Sequence, residues 1–386
     1  MSKRILGIDI GYDTLKLALV SGKRVLKTAV ASMPKRLMRD GRIVSPEAMG
    51  ELIRNTMREN GIRCSSAAVS FSAEAVFVRN VTVPVMTADQ LSYNLPYEFR
   101  DYITDELKNY VFDYAMLTTP KEEKQVEKQK KAAKQPKGKK EKKKKQNALE
   151  AFTEEQENAE PAAAQPAAAP GAGTETPETN ARTMELLAVA APKSLMEETE
   201  SIIRKAGMRL TKAAPVVCSY ISLIRNMAEA NRPASGEYCI LDLGYQAIRM
   251  YMFKGTRHEV TRALEFGLSR IDDALADAYN VDVHLAHTYL LTNYDDCQSK
   301  DVCLSAFNSI AVELMRALNF YRFSNPDSEL SDIWLCGGGA AIAPLCKEIA
   351  EGLDNLKLHN AIELLPEGVD AEQSYSLVQA IGIAQY

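Results

Sequence analysis

Two short stretches of this chain carry residues suited to holding a phosphate: Asp9-Ile10-Gly11-Tyr12 and Asp242-Leu243-Gly244-Tyr245. A glycine lets the backbone come close to an anion, and the successive amides of such a turn form a small positive nest. An aspartate pointed at a phosphate makes sense when a divalent cation or its water shell stands between them. Lys16, seven residues after Asp9, can return a point charge to a β- or γ-phosphate, and Thr14 adds a hydroxyl donor. One such turn alone is as readily a tight hairpin with a solvated aspartate. Two matched copies facing each other form a natural cleft, which favours a ligand held between them.

The elements that position these residues repeat as well. Each turn follows an apolar run (Ile5-Leu6-Gly7-Ile8; Tyr238-Cys239-Ile240-Leu241) and leads into another (Leu15 to Val20; Ile248 to Phe253), so each reads as strand, tight turn, strand. The thirteenth residue after each aspartate is a glycine, Gly22 or Gly255, and an arginine follows two positions later, Arg24 or Arg257. An offset-matched repeat of this length implies a duplicated domain. A third glycine turn, Gly337-Gly338-Gly339, follows a strand at Ile333 to Cys336. It precedes a helix with Leu345, Ile349 and Leu353 on one face. Three glycines there leave room for a flat ligand, and amides at a helix start favour a nearby phosphate.

At 386 residues, 46% apolar and 25% charged, the chain is long enough for two cores. A net charge of −4 gives no global basic field, so nucleic acid is not favoured as a partner. Met1-Ser2-Lys3-Arg4 runs straight into a strand broken by Asp9, unlike a secretory signal, and no apolar run reaches the roughly 20 residues that span a bilayer. A cytoplasmic protein is expected. The seven cysteines are scattered without a Cys-x-x-Cys pair and read as reduced, mostly buried residues. His284-x-x-His287 lacks a third ligand nearby and is assigned a structural or surface role.

The chain alternates helices and strands around one compositional break. Residues 119–182 pass from a lysine-dense block through an acidic stretch to Pro/Ala repeats, and read as a disordered, solvated surface insertion. Before it, Leu91, Leu95, Phe99, Tyr102 and Ile103 predict a helix over Gln90 to Tyr110, followed by a strand from Val111 to Leu117. After it come a strand at Met184 to Ala190 and a helix opened by Pro192 and closed by Gly207. Pro46 opens a helix through Arg58, and strands are expected at Ala67 to Ser72 and near Val260 to Phe266.

The two phosphate turns and the glycine loop together resemble the actin-like ATPase superfamily. Within it the chain is most similar to the PilM family of type IV pilus assembly, a relative of FtsA. The closer likeness lies in Pro96-Tyr97-Glu98-Phe99-Arg100-Asp101-Tyr102-Ile103, in the run from Glu185 to Lys193, in Glu265-Phe266-Gly267-Leu268-Ser269-Arg270, and in the stretch from Tyr375 to Ala384. The resemblance implies an α/β fold of the duplicated, ribonuclease H-like, actin-like two-lobe ATPase kind with an inserted subdomain of the FtsA/PilM type. It places subdomain 1A at 1–85, the inserted subdomain 1C at 86–206, the return of 1A at 207–235, 2A at 236–275, 2B at 276–331, and the return of 2A with the last helix of 1A at 332–386.

The same resemblance implies ATP with Mg²⁺ between the lobes. Asp9, Gly11, Tyr12, Asp13, Thr14 and Lys16 form the first phosphate loop, Asp242, Gly244 and Tyr245 the second, and Gly337, Gly338 and Gly339 the adenosine loop. Asp9 and Asp242 hold the metal through water. It further implies capture of the cytoplasmic tail of a bitopic inner-membrane protein of the PilN kind, a link to the assembly motor ATPase, a ring or filament of the chain itself, and only indirect membrane association.

Three departures bear on turnover. Ala247 and Ile248 stand where the second loop usually carries a Ser or Thr, Pro215-Val216-Val217-Cys218-Ser219 offers no base to orient water, and Leu285 to Leu291 lacks the usual acid and lysine toward the ribose. Weak or absent hydrolysis is expected, and no catalytic residue is assigned. Two other readings are a small-molecule kinase of the superfamily and an FtsA-like division protein. The chain stops at Tyr386 without the amphipathic membrane helix that ends FtsA, which argues for PilM.

Overall fold

The computed structural model describes residues 3–39, 41–117, 183–229, 236–264, 266–353, 356–366, 368–369 and 371–386. Contacts divide the chain into a unit of residues 1–82, 86–116 and 186–386, which holds both large sheets, and a unit of residues 83–85 and 117–185. Of the second unit only residues 83–85, 117 and 183–185 are described, and the expected insertion at 119–182 lies outside them.

The first lobe is built on β1 (Arg4–Ile10), β2 (Thr14–Ser21), β3 (Arg24–Ser32), β6 (Ser66–Phe71) and β10 (Arg209–Pro215), in sheet order β10-β6-β1-β2-β3. The second uses β11 (Glu237–Leu243), β12 (Ile248–Lys254), β13 (Arg257–Leu264), β14 (Asp332–Cys336) and β15 (Lys357–Asn360), in order β13-β12-β11-β14-β15. The two sheets match strand for strand. In each, the first strand of the repeat runs antiparallel to the second and parallel to the strand on its other side. Gly22 and Gly255, the matched hairpin glycines, both take positive φ, 61° and 59°.

Alternation along the strands decides which face each helix covers. Leu6 and Ile8 of β1, with Leu15, Leu17 and Leu19 of β2, pack against Met49 and Ile53 of α1 (Pro46–Glu59) and Ile202 and Ile203 of α3 (Lys193–Lys205). Ser45 caps α1 by accepting from the Ala48 amide, and Pro46 fits the first turn, where its missing N–H costs nothing. The opposite face is covered by α9 (Ala371–Gln385), which also packs on α4 (Val216–Glu229). In the second lobe Leu241 and Leu243 meet Ile271 and Leu275 of α5 (Ser269–Tyr279), Phe307, Ile310 and Leu314 of α7 (Asp301–Ser324), and Leu345 and Ile349 of α8 (Ala343–Gly352). Between α5 and α7 lies α6 (Val283–Thr292). Tyr220 of α4 is buried against Tyr251 and Phe253 of β12, ring centroids 4.9 and 6.4 Å apart, and so joins the lobes.

Two expectations are corrected. The helix expected over Gln90 to Tyr110 is a short α2 (Ala88–Asn94) followed by a 3-10 turn, Leu95–Phe99. Pro96 has no N–H to continue the ladder, and its ring collides with the preceding turn. The strand β7 (Phe77–Pro84) had no place in the sequence reading, yet it joins β8 (Tyr110–Met116) and β9 (Thr183–Pro192) in a sheet of order β7-β9-β8. A short hairpin, β4 (Met38–Arg39) and β5 (Arg42–Ile43), completes the strands. Among the described residues no helix is long and apolar enough to cross a membrane.

Candidate functional site

The two repeated turns come together at one cavity of about 1120 Å³, lined by Asp9, Gly11, Tyr12, Asp13, Thr14, Lys16, Asp242, Gly244, Tyr245, Gly337 and Gly338. Of the residues singled out in the sequence, only Gly339 is not among the lining. A Cβ on it would stand 2.8 Å from Leu243 and 3.0 Å from Leu268, so this glycine serves packing beneath the loop. Nor does a helix begin at the glycines. A 3-10 turn, Gly338–Ala341, intervenes before α8.

Both turns bring their glycine close to the carbonyl three residues on. The Gly11 amide donates to the Thr14 carbonyl at 3.0 Å. A Cβ on Gly11 would lie 2.8 Å from that carbonyl oxygen and 2.6 Å from Lys16 Nζ. The matching Cβ on Gly244 would lie 2.6 Å from the Ala247 carbonyl oxygen. At Gly337 a Cβ would press to 2.4 Å of Asp242 Oδ1, so the glycine loop lies directly against the second aspartate.

Each aspartate ends a central strand and is buried, and each faces a cation across its strand pair. Asp9 is registered with Lys16 of β2, whose Nζ is 3.3 Å from Asp9 Oδ2. Asp242 is registered with Arg249 of β12. Burial raises the Asp242 carboxyl pKa; Arg249 and Lys16 work against that rise, and the Asp9 charge adds to it. Two desolvated acids that repel each other through one cavity form a donor set that a divalent cation would suit.

Sequence reasoning missed four residues here. Arg249 follows Asp242 at the same seven-residue offset as Lys16 follows Asp9, a signal that was present and could have found it. Its Nε lies 2.6 Å from Glu74 Oε1 of the first lobe. Burial opposes the charge on Glu74, but Arg249 outweighs it and holds that carboxyl below the usual range. Gln379 of α9 donates to Asp242 Oδ2 at 2.9 Å and to the Tyr220 hydroxyl at 3.1 Å, which orients the second aspartate. Asp272 of α5, fully buried, lies 2.8 Å from Nδ1 of His287. His287, assigned a structural or surface role, lines the cavity instead. In the stretch 215–219, Ser219 is buried against α9. Glu265 lies outside the described residues.

The sequence profile of the family described as "Type IV pilus assembly protein PilM" matches residues 7–151 and 174–365, which leaves unmatched a part of the charged insertion between them and the two ends, 1–6 and 366–386. A comparison with curated proteins found no match. Among solved structures, a chain of the PilM-PilN type IV pilus biogenesis complex is 20% identical, with 98% of this chain and 97% of that one covered at a TM-score of 0.72. The ethanolamine utilization protein EutJ from Carboxydothermus hydrogenoformans is 12% identical, with coverage of 100% and 90% and a TM-score of 0.53. At such identities the likeness is one of fold. The duplicated two-lobe, actin-like α/β fold expected from the sequence is the fold observed.

Proposed function

The chain belongs to the type IV pilus assembly protein PilM family, and from that premise we propose that it is a nucleotide-responsive adaptor in pilus assembly. The observation that carries the nucleotide part is the convergence of both repeated turns on one cavity, each with a buried aspartate and a cation across from it.

In this reading ATP lies between the lobes. The amides of residues 12–14 and 244–247 hold phosphate oxygens, Lys16 supplies a point charge, and Gly337 and Gly338 leave room for the adenosine. Asp9 and Asp242 hold Mg²⁺ through water, with Gln379 fixing the carboxylate of the second. The metal, when bound, would add positive charge between the two buried carboxylates and the phosphates. Arg249 links the lobes through Nε to Glu74 while lining the same cavity. A ligand that binds two lobe arrangements with different affinity shifts the balance between them, and no catalytic base is needed.

The partner of this adaptor is the cytoplasmic tail of a bitopic inner-membrane protein of the PilN kind. Through it the chain stays cytoplasmic, peripheral to the membrane, and linked to the assembly motor. The division into 1–85, 86–206, 207–235, 236–275, 276–331 and 332–386 describes the lobes that respond. A small-molecule kinase and an FtsA-like role are not favoured by the family match. A coupled assay decides the first alternative: no sugar-dependent ATP consumption is expected, and robust consumption contradicts the adaptor reading.

A further inference from the structure

At the paired turns the lobes also meet directly through side chains. Tyr12 and Tyr245, equivalent in the repeat, stack with ring centroids 5.7 Å apart and planes 9° from parallel. Next to Tyr12, Asp13 Oδ2 lies 3.5 Å from Nε2 of His287, which belongs to the other lobe. The same imidazole presents Nδ1 to Asp272 at 2.8 Å and packs edge-on against Tyr245 at 5.3 Å. One ring thus hydrogen-bonds a carboxylate of its own lobe and stands at ion-pair distance from a carboxylate of the other, with Nε2 making no hydrogen bond.

We infer that His287 is a proton-operated clasp: as an imidazolium it donates through Nδ1 to Asp272 while its charge attracts Asp13 across the lobes, and loss of one proton releases Asp13. The geometry sets which contact breaks. Asp272 is fully buried, whereas the Asp13 side chain is 39% exposed and can turn to water. A neutral imidazole therefore keeps its one proton on Nδ1 for the buried acid and turns the Nε2 lone pair toward Asp13. The contact between lobes changes from attraction to repulsion.

The titratable groups facing the ring are Asp13 from the β1–β2 turn, Asp272 from α5, and the Tyr245 hydroxyl from the β11–β12 turn, with Asp273 farther off beside Tyr245. Burial works against a charge on His287, yet Asp13 and Asp272 outweigh it and push its pKa up to about 9. A group raised in the closed state contributes fully below its ordinary value, about 6.5, and loses its contribution as pH rises through about 9. The clasp itself stands without a ligand; only its consequence rests on the nucleotide reading. Phosphate brought between the turns adds negative charge that favours the imidazolium, so nucleotide binding and lobe closure strengthen each other.

Histidine-ring NMR of the full chain without nucleotide, over pH 6 to 10, reads the titration of the four histidines, and the signal missing in His287→Gln identifies the clasp. Small-angle scattering over the same range reads lobe separation. The expected result is a His287 midpoint near 9 in the wild-type chain with separation growing through that range, a midpoint lower by about one unit in Asp13→Asn, and a pH-independent separation in His287→Gln. A midpoint near 6.5 in the wild type, or a His287→Gln separation that follows pH as the wild type does, overturns the clasp. Should His287→Gln not fold, Asp13→Asn, altered at a partly exposed side chain, decides the question through its midpoint. A fluorescent ATP analogue titrated at neutral pH keeps the two readings apart. A titrating clasp without nucleotide binding sinks the nucleotide reading alone, and nucleotide binding without a titrating clasp sinks the clasp alone.

Discussion

Asp9 and Asp242 sit buried at the ends of two equivalent strands, and most of the site's chemistry follows from the need to compensate them. In the proposed site, removing one would take away a fixed point for the metal. Asp9→Ala is expected to weaken Mg²⁺-dependent ATP binding by about 10- to 100-fold, the range typical of outer-shell groups at metal sites. Calorimetric titration checks it, and an unchanged affinity contradicts the proposed site. Gly11→Ala tests the turn itself. Its Cβ would overlap the Thr14 carbonyl and Lys16, and a loss of about 1–3 kcal/mol in thermal unfolding is expected from such overpacking. The residues that repeat in type, Asp9 with Asp242 and Gly11 with Gly244, were legible in the sequence because each does its work within a turn. Glu74, Gln379 and Asp272 were not, since each meets its partner from a distant element and carries no local signature. Arg249 falls between: its offset from Asp242 was readable, but arginine standing in for lysine hid the match.

At the scale of elements, strands and helices with their own start and stop signals were readable, and those shaped by contacts were not. The helix after Ser45-Pro46 and the hairpins closed by Gly22 and Gly255 are where sequence chemistry puts them. The 90–110 region was misread because its apolar spacing suits a helix that Pro96 does not allow, and β7, which pairs with β9 from beyond the insertion, was overlooked. The last helix, α9, connects the most. It covers β1 and β2, packs on α4, and carries Gln379 to Asp242. Ile381 on this helix is fully buried. Ile381→Ala is expected to cost about 2–5 kcal/mol in urea unfolding, transfer and cavity terms together. A cost below about 1 kcal/mol would mean that α9 does not anchor the first lobe.

For the whole molecule, proton uptake marks the limits of stability as well as of closure. His258 of β13 is buried and its pKa is lowered to about 4, chiefly by desolvation. Its ordinary value is about 6.5, so below that pH the unfolded chain binds a proton the folded chain refuses, and stability falls as pH drops toward 4. The His258 contribution to this loss is about 2 kcal/mol at pH 5, from the two pKa values. Urea unfolding at pH 7 and pH 5 of the wild type and His258→Gln checks it, since the variant should lose less. In the other direction the His287 clasp weakens as pH rises, which leaves a window around neutrality in which the lobes are both folded and closed.

The central claim joins the two ends of the account, a nucleotide between the lobes and a membrane-protein tail as partner. The measurement that tests it most directly is calorimetric binding of a synthetic peptide, the cytoplasmic end of a bitopic inner-membrane protein of the PilN kind from the same organism, with and without Mg²⁺-ATP. The account predicts that the peptide binds, that Mg²⁺-ATP changes its affinity by about 5-fold or more, and that Asp9→Ala abolishes the change while retaining peptide binding. A peptide that does not bind, or that binds the wild-type chain with the same affinity in both conditions, contradicts it.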